Sequence, residues 1–151
     1  MPTTPEPIAI LSCPRPKRGY TYIYALRDPT TEEVCYVGQA FDPIRRFSQH
    51  SIDLRIENFW NAWLVYLGQV NQNFEMLVLD CVPKSKASQR EREIISLYWS
   101  AGEPLMNQNH LHRGGVRVPK TKVLARIERS SWYRQYRINC GNDPDDYWWN
   151  E

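Results

Sequence analysis

No apolar run in this sequence approaches the ~20 residues needed to cross a bilayer as a helix. The opening segment, "MPTTPEPIAILSCPRPKR", has only the short apolar run from Ile8 to Leu11 among scattered prolines. It does not read as a secretory signal, so a cytoplasmic protein is expected. Cysteine is sparse: Cys13, Cys35, Cys81 and Cys140 lie far apart, and none has the close neighbour that zinc-site spacing requires. Reduced thiols are expected. Net charge is only +2, too small on its own to announce a nucleic-acid partner. There is no internal repeat.

What is present is an ordinary globular composition. The chain has 151 residues, 42% of them hydrophobic, enough for one domain with a real core. Charge is unevenly spread. From Arg113 to Arg137 there are eight basic residues and one acid, Glu128, whereas the end of the chain is acidic. Such asymmetry suits a polyanion partner for the basic part.

Residues 1–18 hold five of the eleven prolines and read as an extended arm. "TYIYAL" and "VCYVG" are strand-like, and "RDPTTEE" between them is a turn opened by Asp-Pro, so the pair forms a hairpin. If Tyr24 lies opposite Tyr36, the two phenols share a face. "DPIRRFSQH" begins a helix, with Asp42 as N-cap and Pro43 at the first position. Ile44 and Phe47 supply its apolar side, while Arg46 and His50, four apart, face the same way. "IENFWNAWLVYLG" has Ile56, Trp60, Trp63 and Leu67 at helical spacing and stops at Gly68; Trp60, Trp63 and Tyr66 read as core. "NFEMLVLDCV" is a buried strand, and "SKASQREREIISLYWSAG" is a helix ended by Gly102. The order β-β-α-α-β-α predicts an α+β fold: a small three-stranded antiparallel sheet flanked by helices, followed by a basic C-terminal extension.

Glu91 is placed oddly. Ala87, Ile94, Ile95 and Tyr98 define the inward stripe of its helix, and Glu91 falls on that stripe. A carboxylate there needs a partner or a metal. Ser88 and Glu91 also fit a capping box, which would put Glu91 on the surface. Ser85 is an equally good cap that leaves Glu91 inside the helix, and the residues alone do not decide.

Taken together, the motifs resemble the GIY-YIG nuclease superfamily. "YIY" matches the first motif, with Tyr22 where the family has glycine, and "YVG" at 36–38 matches the second. "RRFSQH" offers Arg46 and, four later, His50. "EREIISL" offers Glu91 before an apolar pair, "EPLMN" offers Asn107, and Gly114–Gly115 follow. The resemblance covers roughly residues 20–115, giving an arm at 1–18, a nuclease domain at 19–115 and a basic, aromatic extension with an acidic end at 116–151. Gln39 and Ala40 depart from the lysine and hydroxyl residue that related sequences often carry after the second motif.

The resemblance implies a metal-dependent DNA endonuclease with catalytic residues Tyr24, Tyr36, Arg46, His50, Glu91 and Asn107. Glu91 would hold one Mg²⁺ or Mn²⁺ ion, since Mg²⁺ commonly uses one or two carboxylates plus waters and substrate oxygens. Arg46 can grip a phosphate through two parallel hydrogen bonds. A phenol has a pKa near ~10, so the base is the hardest role; Tyr24 is assigned to it, with Tyr36 positioning the water and His50 as an alternative relay. Arg45, Lys120, Lys122, Arg126 and Trp132 are the expected DNA contacts, phosphates for the cations and an unstacked base for the indole. The tail reads equally well as a terminal helix docked on the domain. Little chain is left for reading sequence, so a homodimer or protein partner would supply specificity. Repair, restriction and mobile-element or phage settings all fit. The competing reading is a catalytically silent nucleic-acid-binding module on the same fold. His110 and His112 read as exposed loop residues.

Overall fold

The computed structural model of the chain describes residues 8–9, 15–50, 57–107, 112–113 and 116–143, with side chains over 15–48, 59–107 and 118–143. In chain order the elements are strands β1 (Ile8–Ala9), β2 (Tyr20–Arg27) and β3 (Val34–Ala40), then helices α1 (Pro43–His50) and α2 (Glu57–Gln69). Strand β4 (Glu75–Pro83) follows, then a 3₁₀ turn (Lys84–Lys86) and helix α3 (Ala87–Ser100). A two-residue ribbon, β5 (His112–Arg113) and β6 (Val116–Arg117), precedes helices α4 (Lys120–Glu128) and α5 (Ser131–Asn139).

The expected α+β fold is the one found. β3, β2 and β4 form an antiparallel sheet with β2 in the middle, and β1 adds two residues at the outer edge of β4. Residues Ile23 to Leu26 of β2 are all fully buried, so both faces of the central strand are covered. The hairpin turn is organised by Asp28. One oxygen of this buried carboxylate accepts Thr30 N–H, Thr30 Oγ1–H and Thr31 N–H at 2.8, 2.6 and 3.2 Å, and the other accepts Trp63 Nε1–H at 2.9 Å. The polar turn is thereby fixed to α2, and a buried charge finds the donors it requires.

Register corrects the sequence reading at one point. Tyr24 pairs with Gly38, and Tyr36 pairs with Leu26. The phenols therefore share a face diagonally, two positions apart, rather than directly across.

The helices form much as expected. Asp42 Oδ1 accepts Arg45 N–H at 3.3 Å, capping α1. Phe47 packs edge-on against Phe74 at 5.1 Å, but Ile44 is 47% exposed, so only one of the two expected apolar residues faces inward. α2 runs through Gly68 and ends one residue later: Asn71, at φ 55°, takes the left-handed position, and Gln72 N–H bonds back to Leu67 O at 2.9 Å. α3 ends as predicted. Gly102 at φ 94° lets Glu103 N–H reach Tyr98 O and Gly102 N–H reach Trp99 O, both at 3.1 Å.

The C-terminal helices belong to the same core as the sheet. Val123, Ile127 and Trp132 are fully buried, and Trp132 lies against Trp63 and Tyr66 with ring centroids 6.4 and 6.2 Å apart. Glu33, in the β2–β3 turn, accepts the N–H groups of Ser131 and Trp132 at 3.0 and 2.9 Å, satisfying the exposed amides at the start of α5. The basic, aromatic tail is thus a pair of docked helices. No helix among the described residues is long and apolar enough to cross a membrane.

Candidate active site

The site is built around the last residues of β3. Tyr36, Val37 and Gly38 run along the sheet edge, and that edge is not left open. Asn107 donates its Nδ2–H to Val37 O at 2.6 Å and accepts Val37 N–H on Oδ1 at 3.0 Å. Met106 N–H bonds to Cys35 O at 2.7 Å, and Glu103 accepts Val34 N–H at 2.9 Å. Residues 103–107 thereby stand in for a neighbouring strand and hold β3 in place. Asn107 is 3% exposed with both amide atoms committed to this backbone, so what it does here is position β3 rather than touch solvent.

Gly38 performs a second local task. A Cβ at this position would lie 2.6 Å from Tyr24 Oη, 2.7 Å from Tyr24 Cζ and 2.8 Å from Tyr36 Cε1. Only a residue without a side chain lets the Tyr24 ring cross β3 next to Tyr36, and the two ring centroids are 6.3 Å apart. Tyr24 is fully buried, whereas Tyr36 is only partly so. Solvent therefore reaches part of Tyr36 but none of Tyr24 in this conformation.

Beyond Gly38 the strand opens into a hollow of about 280 Å³ lined by Gln39, Ala40, Phe41, Asp42, Arg45 and Arg46. Asp42 and Pro43 start α1 at once, so both guanidinium groups are carried on the first turns of a helix whose N-terminus is fixed by the Asp42 cap. Arg46 is partly buried and Arg45 exposed. The sixth expected member, His50, closes α1 by its backbone, and its side chain lies outside the described residues.

Glu91 reaches this region from the other side. Its Oε2 accepts a hydrogen bond from Gln39 Nε2 at 2.7 Å. That contact links α3 to the end of β3. Neither capping expectation holds: α3 begins at Ala87 after the 3₁₀ turn, Lys86 is its cap without a side-chain bond, and both Ser85 and Ser88 are bypassed. Glu91 sits inside the helix and is half-buried, while Ala87, Ile94, Ile95 and Tyr98 are buried as the stripe predicted. The sequence reading missed Gln39 as a partner of Glu91. The signal was there, because Gln39 already stood out as a departure from the motif.

The remaining expected contacts divide. Lys120 and Lys122 are exposed on α4. Trp132 is fully buried, so it has no face to offer a base. Arg126 is spent on the fold: its Nη1–H donates to Trp99 O at 2.6 Å, and its guanidinium lies 3.4 Å from the centre of the Trp99 ring. His110, Gly114 and Gly115 fall outside the described residues, as does the His112 side chain.

With this geometry in hand, comparison with known families is decisive. The model of the GIY-YIG catalytic domain matches residues 20–104, more than half of the chain. The chain belongs to the GIY-YIG family. This is a family of nucleases, generally dependent on a divalent metal. The matched segment contains Tyr24, Tyr36, Gly38, Arg46, His50 and Glu91, and stops short of Asn107. No curated protein and no solved structure gives a significant match. Among the described residues no three His, Cys, Asp or Glu side chains gather into a metal-binding cluster. The half-buried Glu91 carboxylate, bonded to Gln39 at the rim of a hollow that also holds Asp42, fits a hard cation that keeps most of its waters and takes further oxygens from a phosphate. It does not fit zinc, which takes three or four His, Cys or carboxylate ligands from the protein, and no such group gathers among the described residues.

Proposed function

We propose that this GIY-YIG protein is a metal-dependent DNA endonuclease whose centre lies at the hollow between the end of β3 and the start of α1. The observation that carries the reading is the Gln39–Glu91 hydrogen bond of 2.7 Å, which brings the acid of one motif to the strand of another. Arg45 and Arg46 line the adjoining hollow.

In the reaction a water oxygen attacks phosphorus, the P–O3′ bond breaks, and the departing oxygen takes a proton from solvent water. Arg46 clamps the non-bridging oxygens of the scissile phosphate through its planar fork, so charge that grows there meets fixed donors. Tyr36, less buried than Tyr24, orients the attacking water and, as the phenolate that the neighbouring arginine charge favours, takes up its proton. Tyr24 packs beside the Tyr36 ring, and because it is fully buried the base role assigned to it from sequence passes to Tyr36, which keeps its part in positioning the water. His50 is the alternative proton relay. Asn107 and Gly38 act on β3, the first by clasping the strand and the second by leaving room for the rings. Glu91 would hold a single Mg²⁺ or Mn²⁺ ion, which supplies Lewis-acid stabilisation of the phosphate and leaving oxygen when bound. Arg45, Lys120 and Lys122 contact flanking phosphates, so affinity falls as salt rises.

Supercoiled plasmid incubated with the purified chain tests the proposal. Conversion to nicked or linear DNA with Mg²⁺, and none in EDTA, is the expected result. DNA binding without cleavage under any divalent ion would replace it with the silent binding module.

A further inference from the structure

Phe41 is 53% exposed and shares the hollow with Arg45 and Arg46. Its ring is not part of the hydrophobic core. Six residues on, Phe47 is packed against Phe74, whereas Phe41 stands outside the hydrophobic core. Nor is it on a loose loop. Phe41 is the first residue after β3, and the next residue caps α1: Asp42 accepts Arg45 N–H on its side chain at 3.3 Å and Arg46 N–H on its carbonyl at 3.0 Å. An aromatic ring is therefore held in water, one residue from a helix start that carries two guanidinium groups.

Resting on the nuclease reading, we propose that Phe41 is a stacking platform for an unpaired base adjacent to the phosphate held by the arginines. The preferred substrate is then DNA with an unpaired base at the cleavage site, such as a bulge, a mismatch or a single-strand junction. Charge complementarity fixes the backbone at Arg45 and Arg46, and the base joined to that backbone is the apolar group within reach of the ring. In a fully paired duplex the base faces are already stacked on their neighbours, and exposing one costs unstacking energy. An unpaired base presents its face without that cost. Stacking is tolerant of base identity because every base has a π-face, which suits a protein that selects by structure rather than by sequence.

Anisotropy measurements with the full chain in EDTA test this on two labelled duplexes of equal length, one fully paired and one with a short central bulge. Alanine substitution of a stacking aromatic typically weakens binding by about 5- to 150-fold. The bulged duplex should bind tighter by that order, Phe41→Ala should bring the two affinities together, and Phe41→Trp should keep them apart. An unchanged melting temperature checks that Phe41→Ala is folded. Equal affinities for the two duplexes, or a preference that survives in Phe41→Ala, would overturn the stacking proposal alone if binding remains salt-dependent. If neither duplex is bound, the nuclease reading falls as well. Loss of self-association in Phe41→Ala with no change in duplex preference would assign the ring to a second copy of the chain instead, and overturn the proposal.

Discussion

Adding one methyl group at Gly38 tests whether the two tyrosines are held as the geometry indicates. The new Cβ of Gly38→Ala would sit 2.6–2.8 Å from the Tyr24 hydroxyl, its ring carbon and the Tyr36 ring. Carbon atoms at rest stand about 3.5–4.0 Å apart, so the rings or β3 must retreat by about 1 Å. Tyr24 is fully buried and has nowhere free to go. Overpacking of this kind costs about 1–3 kcal/mol, which for a chain of this size lowers Tm by about 2–4 °C per kcal/mol. Activity should suffer more, because a misplacement of about 1 Å costs on the order of 10²-fold in rate. Gly68→Ala is the control. It lies within α2 with nothing within 4 Å of its added Cβ, so the better helix former should raise Tm slightly and leave the rate unchanged. Single-turnover cleavage and a thermal melt on both variants decide the matter. A Gly38→Ala protein that cuts and melts like wild type would refute the packing argument.

Arg46→Lys should lose about 10²–10³-fold in rate, the scale of one lost transition-state donor, while Arg45→Lys changes it only a few-fold; equal losses in a kinetic comparison would mean that the helix face is misassigned. Tyr36→Phe should lower the single-turnover rate by about 10²–10⁴-fold with almost no change in Tm, as removal of a proton-handling group does. Glu103 offers a pH test. Burial, opposed by the Val34 N–H and reinforced by Glu33, raises its carboxyl pKa above the ordinary value. With the folded pKa above the unfolded one, the carboxyl favours folding at low pH and loses that contribution as pH rises through the raised value. Glu103→Gln keeps an acceptor for Val34 without the charge, so it should melt higher than wild type at neutral pH. The gap should close as the pH falls; a gap that widens toward acid would have the sign wrong.

The elements around the site were legible because each is written locally. Asp42–Pro43 announces α1, Gly102 ends α3, and alternating aromatic and β-branched residues mark β2. What stayed hidden depends on partners distant in sequence. Basic residues interleaved with Trp132 and Tyr133 describe a DNA-gripping segment and a docked amphipathic helix equally well. Contact between Trp132 and both Trp63 and Tyr66 decides for docking. Arg126 reads as a free cation until Trp99 is found beneath it. Asn107 looks like a turn or a catalytic amide, and its hold on Val37 appears only once residues 103–107 run along β3. The strand pairing was off by two residues because two tyrosines suggest each other as partners, whereas the turn geometry set by Asp28 puts Gly38 opposite Tyr24.

The central claim is that Glu91 serves chemistry rather than folding, and Glu91→Ala measures it most directly. Plasmid cleavage in Mg²⁺, DNA affinity and Tm should be determined on this variant and on wild type side by side. Cleavage should vanish while affinity stays within a few-fold and Tm falls by no more than a few degrees, the scale of losing a partly exposed hydrogen bond such as that to Gln39, about 0.5–1.5 kcal/mol. Full cleavage by Glu91→Ala, or its loss only in step with unfolding, would contradict the account.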